Sequence, residues 1–267
     1  MRSVADIPPV QLRALRGVFM DIDDTLTTGG RLTAAAYGAL EELKDAGLMV
    51  VPITGRPAGW CDHIARMWPV DAVIGENGAF YFRYDPAGRK LEKRFAVDGA
   101  RRESDRQRLG EIAKLVLAAF PGTAIASDQQ YRETDLAIDY CEDVPPLAID
   151  VAQRIAELLK THGLSAKVSS IHVNGWYGRH DKLSMTRTLM EERFGADLAF
   201  ARGAFAFVGD SPNDAPMFGY FPLSIGVANI RQFAGQLAHA PAYVTRAEAG
   251  AGFVEFARLV LNARTSQ

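Results

Sequence analysis

Cysteine is nearly absent: Cys61 and Cys141 are the only two in 267 residues. Two cannot make a disulfide framework, and Cys61 with nearby His63 lacks the further ligands of a zinc site. Both cysteines are therefore read as reduced and structural. An excess of one charge is missing as well. A formal net charge of −2 supplies no attraction for nucleic acid or an anionic membrane surface, so neither is expected as a partner. No apolar run approaches the roughly 20 residues needed to cross a bilayer. Residues 1–16 carry Arg2, Asp6, Arg13 and Arg16 without a continuous apolar segment, which argues against a signal peptide and for a cytoplasmic location. Internal repeats and low-complexity tracts are lacking too, and nothing specifies an oligomeric state.

What is present is an ordinary globular composition, 48% hydrophobic, on a chain long enough for a core with a second domain inserted into it. Gly17-Val18-Phe19-Met20 reads as a buried strand, and 34–46 as a helix with Leu40 and Leu43 at helical spacing. Residues 48–53 read as a strand, 58–67 as a helix and 72–74 as a short strand. This βαβα order implies a parallel, doubly wound sheet. From Phe80 the pattern changes. Residues 80–84 and 90–96 flank Asp85-Pro86-Ala87-Gly88 and read as a hairpin. A helix over 102–120, strands over 123–127 and 134–140, a helix over 146–162 and a strand pair across 166–176 complete an α+β unit. The first pattern then resumes with a helix over 182–194, a strand over 205–208, a short helix over 215–220, a strand over 223–227 and a helix over 252–263. The expected architecture is α/β: a doubly wound, Rossmann-like core made of residues 1–83 and 178–267, with an α+β domain inserted over 84–177.

The residues that carry chemistry stand at strand ends. Asp21-Ile22-Asp23-Asp24-Thr25 follows the first strand directly, at the carboxyl edge where open α/β sheets bind ligands. Three carboxylates in four positions repel one another and call for a cation or a reaction. A helix-capping turn would use one of them, not three. Ile53 runs into Thr54-Gly55-Arg56, Asp181-Lys182 opens a helix, and Phe205-Ala206-Phe207-Val208 ends in Gly209-Asp210-Ser211-Pro212-Asn213-Asp214. Singly, Thr54 suits a helix cap, Lys182 a solvated surface, and Asp210 or Asp214 a turn. Together, in this order, they fit those separate roles poorly.

The set resembles the haloacid dehalogenase superfamily, whose motifs are an Asp-x-Asp-x-Thr, a Thr or Ser, a Lys, and a Gly-Asp-x-x-x-Asp. All four occur in order and span nearly the whole chain. Gly75-Glu76-Asn77-Gly78-Ala79 is similar to the segment preceding a large α/β cap in one branch of that superfamily. The branch includes sucrose-phosphate, trehalose-phosphate and mannosyl-phosphoglycerate phosphatases. The resemblance implies a Mg²⁺-dependent phosphatase of a small phosphate monoester, a sugar phosphate before others. It implies Asp21 as a nucleophile that forms an aspartyl-phosphate and Asp23 as the acid and base. Mg²⁺ would be held by the Asp21 and Asp210 carboxylates and the Asp23 carbonyl, with Asp214 beside them. Thr54, the Gly55 amide and Lys182 would hold phosphoryl oxygens, while Asp24, Thr25 and Asn213 shape the loops.

Asp23 argues against dehalogenation, because halide leaves without a proton. A phosphomutase is the nearer alternative. A receiver-type binding module is farther, being shorter and without an inserted domain. In Ile171-His172-Val173-Asn174-Gly175-Trp176, a period of two sends Ile171 and Val173 to the cap helices and His172, Asn174 and Trp176 to the catalytic crevice. These three, with Arg179 just beyond, are the expected substrate contacts; the other readings are a face turned to solvent, or Trp176 anchoring the hinge. His172 and His180 lack a third ligand for zinc.

Overall fold

The computed structural model describes residues 1–169 and 171–265. Its central sheet explains the continuous apolar runs. Gly17–Met20, Met49–Pro52, Phe205–Gly209 and Leu223–Gly226 pair in parallel, extended at one edge by Tyr243–Val244 and Arg2–Ser3. Alternation then divides each strand between two cores. Val18, Met20, Val50, Ala206 and Val208 pack with the helices Ala34–Asp45, Ala58–Met67 and Ala249–Thr265. Phe19, Val51, Phe205 and Phe207 pack on the other face with Lys182–Phe194 and Ala215–Tyr220. Both faces are covered, so the strands carry no polar side. Among the described residues, no helix is long and apolar enough to cross a membrane.

Gly17–Met20 lies next to the edge strand Met49–Pro52, with Phe205–Gly209 on its other side. The chain leaves it in one direction for its next partner and returns from the other much later. It is therefore the topological switch point, where the loops part and leave a crevice. The register sets Met20 beside Val208 and Pro52, which brings the three following loops to one edge.

The cap domain is a second α/β layer. Ser165–Val168, His172–Trp176, Asp135–Asp139 and Ala124–Ile125 form an antiparallel sheet in that order. Leu136, Ile138 and Val173 face the helices Gly99–Ala119 and Ile149–Thr161, meeting Leu109, Ile112, Val116, Ile155 and Leu159. Ser170, inside the expected strand pair over 166–176, lies outside the described residues.

One expected grouping differs. The hairpin Phe80–Asp85 and Lys90–Phe95 pairs with Val73–Gly75 and not with the cap sheet. Phe80 and Phe82, stacked with centroids 4.3 Å apart, are buried with Ala58, Cys61 and Ile64 of the core helix. Burying these rings decides the partner. The C-terminal helix also starts earlier than expected, at Ala249 rather than 252.

Candidate active site

Because Met20 and Val208 are paired, the residues after them meet. The Asp21 N–H donates to the Val208 carbonyl at 2.9 Å. Asp21, Asp210 and Asp214 are buried and offer carboxylate oxygens that all lie within 4.8 Å of one another. Asp214 is drawn in by the turn Pro212–Asp214: its Oδ2 accepts from the Asp210 N–H at 3.0 Å and the Ser211 N–H at 3.3 Å. Gly209 permits this, since a Cβ there would lie 2.4 Å from the same Oδ2.

Lys182 is the first residue of its helix, behind Asp181, whose side chain accepts from the Ser184 N–H. That cap aims the buried ammonium inward. Its Nζ donates to Asp21 Oδ1 at 2.9 Å and Asp214 Oδ1 at 2.8 Å. Burial alone would lower the lysine pKa, but Asp21 and Asp214 outweigh it and raise the pKa above the ordinary value.

One ammonium does not balance three carboxylates. Burial lifts Asp21 to about 7, against the pull of Lys182 and with Asp214 and Asp23 pushing further. Burial and the neighbours Asp21, Asp214 and Asp24 raise Asp210 as well. A cluster of hard oxygen donors that resists ionisation suits a divalent cation.

The loops around this cluster are tied together. Thr25 Oγ1 donates to Asp210 Oδ1 at 3.2 Å, and Asn229 Nδ2 donates to Asp210 Oδ2 at 3.3 Å and to the Asp24 carbonyl at 3.0 Å. Asp24 has a left-handed backbone, φ 54°. Thr54 donates its N–H to Ile74 and accepts the Arg56 N–H on its hydroxyl at 2.9 Å. Ser211 Oγ donates to Asn213 Oδ1 at 2.7 Å.

Glu76 and Asn77 underpin the loop over 54–56, and Gly78 follows them. Glu76 N–H donates to the Arg56 carbonyl and Asn77 N–H to the Thr54 carbonyl. The buried Glu76 carboxylate accepts from Ala58 N–H in the core and from Glu133 N–H, Thr134 N–H and the Thr134 hydroxyl in the cap. Burial, then repulsion from Asp135, lifts its pKa to about 7. Gly78, at φ 102°, abuts the Asp181 carbonyl so closely that a Cβ would lie 2.0 Å from it.

Above the carboxylates is a chamber of about 20 Å³, room for about one water. Asp21, Asp23, Gly55, Arg56, Asp210, Ser211 and Asn213 line it from the core, and Arg132, Ser169, Ile171, His172 and Asn174 from the cap. A groove of about 830 Å³ adjoins it, sharing Ser169, Ser211 and Asn213.

Of the four expected substrate contacts, His172 and Asn174 reach the chamber wall. Trp176 and Arg179 do not. Trp176 lies at the end of its strand, donating its indole N–H to the His180 carbonyl at 3.2 Å and stacking on the His180 ring at 5.6 Å. Its bulk fills the joint where the cap returns to the core, and Arg179 is exposed on the turn between them. Ile171 also departs from expectation: it precedes the strand and lines the chamber.

Three charged residues were not expected in the site. Arg56 donates from Nε to Asp23 at 3.0 and 3.2 Å, and its terminal nitrogens reach Glu142 at 2.9 and 3.4 Å. Arg132 links Asp128 and Asp135 in the cap to the Gly55 carbonyl in the core, the last at 2.9 Å. Glu142 is pulled down to about 2, first by His172 and, against its partial burial, by Arg56. The only sequence signal was Arg56 itself, next to Gly55.

The chain matches the haloacid dehalogenase-like hydrolase family over residues 18–97. It is 28% identical over 251 residues to the phosphoglycolate phosphatase of Methanoculleus marisnigri, covering 90% of this chain and 94% of that protein. With the phosphoglycolate phosphatase of Pyrobaculum neutrophilum it shares 29% over 248 residues, covering 91% and 94%. A solved structure from Thermoplasma acidophilum superposes with a TM-score of 0.65 at 19% identity, covering 92% of this chain and 99% of that one. Sucrose-phosphatase from Synechocystis, solved with sucrose and phosphate, gives 0.62 at 18% identity, covering 92% and 98%. The solved structures share the fold.

Proposed function

We propose that this chain, a haloacid dehalogenase-like hydrolase of phosphoric monoesters, cleaves a small acidic phosphate ester with Mg²⁺ held among Asp21, Asp210 and Asp214. The observation that carries the reading is the buried Lys182 ammonium between Asp21 and Asp214 at the switch point, with Asp23 gripped by Arg56 close by. When bound, the metal would neutralise the carboxylates and the phosphoryl oxygens.

The residues divide the work as follows. An Asp21 oxygen attacks phosphorus, and the bond from phosphorus to the ester oxygen breaks. The leaving oxygen takes its proton from Asp23. Asp23, now a carboxylate, removes a proton from the water that attacks the aspartyl-phosphate, which releases phosphate and restores Asp21. Such acid–base help is worth about 10²–10⁴-fold in rate. Lys182, Thr54 and the Gly55 amide hold phosphoryl oxygens, and Arg56 orients Asp23.

An acidic ester is favoured by the relatives named phosphoglycolate phosphatase, which match over most of the chain. The cationic Arg56 in the chamber wall agrees with it. A sugar phosphate is the second reading, supported by His172 and Asn174 in the roof but without a stacking ring from Trp176. The chamber holds about one water as it stands, so an ester enters with the cap lifted, by way of the adjoining groove.

A phosphate-release screen with Mg²⁺, across phosphoglycolate, sugar phosphates and nucleotides, tests this. Rapid release from a small acidic ester supports the reading. Transfer of the phosphoryl group to a sugar without release would indicate a mutase instead.

A further inference from the structure

A guanidinium and an imidazole face one another across the joint between core and cap. The side chains of Arg56 and His172 are 7% and 3% exposed, and both line the chamber. One carboxylate lies between them. Glu142 accepts from two Arg56 nitrogens at 2.9 and 3.4 Å, and its Oε2 lies 2.8 Å from His172 Nε2. That Nε2 is buried and has no aligned hydrogen bond, so the contact is close but poorly directed. A planar fork with a second nitrogen opposite is the geometry that receives a two-oxygen anion.

Glu142 is attached in a way that lets its carboxylate leave. The Asp139 carboxylate accepts from the Cys141, Glu142 and Asp143 N–H groups at 2.8–2.9 Å, which pins the backbone. The Glu142 side chain is nevertheless 28% exposed. Rotation about its own bonds takes the carboxylate to solvent without moving the turn.

We propose that Arg56 and His172 form a subsite for a carboxylate on the substrate, and that Glu142 occupies it when substrate is absent. The inference rests on the phosphatase reading above, with phosphorus at Asp21 and the acid group at Arg56. A substrate carboxylate that displaces Glu142 preserves the pairing of Arg56. A neutral tail cannot, and must bind beside Glu142. The tenant therefore lowers the apparent affinity for the acidic ester by the fraction of time it holds the site.

The test compares phosphoglycolate with ethyl phosphate, which has a methyl group in place of the carboxylate. The readout is the ratio of their kcat/KM values. Glu142→Gln should raise this ratio about fivefold, the effect of removing a competing ion pair of ordinary strength. It should also tighten inhibition by free glycolate. Arg56→Lys should lower the ratio, because an ammonium lacks the fork. Equal loss on both esters in Glu142→Gln would identify a structural strut and overturn the proposal. So would an unchanged ratio, or a wild-type preference for a neutral sugar phosphate; both leave the phosphatase reading intact. No phosphate from any ester would overturn both.

Discussion

Replacing Asp21, the proposed nucleophile, should stabilise the metal-free protein. Asp21 is buried and titrates near 7 instead of near 3.8, so its ionised form costs about 4 kcal/mol in the folded state. Below pH 3.8 the group is protonated in both states and the cost is absent. As the pH rises towards 7 the unfolded chain ionises first, and stability is lost across that window. Asp21→Asn removes the titration and keeps the shape. It also gives up part of the bond to Lys182, which still pairs with Asp214 at 2.8 Å. A net gain of about 2–4 kcal/mol at pH 7.5 raises the Tm by about 5–10 °C for a chain of this size. Thermal melts in chelator from pH 4 to 8 read this directly. The two proteins should melt together near pH 4 and diverge towards pH 7. Glu76 also titrates near 7, but its contribution is common to both and cancels. Added Mg²⁺ should close the gap, because the cation favours the ionised wild-type cluster. An Asn variant less stable than wild type at every pH would refute the reasoning.

Chelation should stop phosphate release and Mg²⁺ restore it, with Ca²⁺ a poor substitute because it prefers more ligands at longer distances; full activity in excess chelator contradicts this. Gly78→Ala places a Cβ 2.0 Å from the Asp181 carbonyl, so it should displace Lys182 and cut kcat about a hundredfold, measured on the folded variant at saturating substrate. Trp176→Ala should act on stability, lowering it by about 3–5 kcal/mol in denaturant melts, because the ring fills the cap–core joint. His172→Ala should do the reverse, raising KM for the preferred ester with little change in melting. Exchanged phenotypes would show that the two residues were assigned to the wrong ends of the strand.

The doubly wound core was legible because its strands are continuous apolar runs and their loops carry carboxylates. Asp21 stood out because three carboxylates crowd four positions directly after a buried strand, whereas Asp210 and Asp214 singly suit a turn and took their meaning from the whole set of motifs. Lys182 is ordinary by itself and becomes visible only in the company of the other motifs. Arg56 was in plain view and unassigned, because its partners, Asp23 and Glu142, come from distant segments. Glu142 sits in a polar turn that resembles many others. Period two assigned Trp176 to a face but not to a place along the strand, and the end of the strand lies past the chamber. The hairpin over 80–95 alternates like any half-buried pair. Which sheet it joins depends on where Phe80 and Phe82 are buried, a long-range contact that local pattern does not encode.

The central claim is that Asp21 carries the phosphoryl group during turnover. In an Asp23→Asn variant given p-nitrophenyl phosphate, whose phenolate leaves without a proton, the first step survives while the water step lacks its base, so the covalent species should accumulate. Acid quenching after mixing with p-nitrophenyl phosphate radiolabelled at phosphorus and Mg²⁺, followed by proteolysis and peptide sequencing, locates the label. The account predicts label on the peptide containing Asp21, absent when Asp21→Asn is added. Continued phosphate release with no labelled peptide, or with label on another residue, would contradict it.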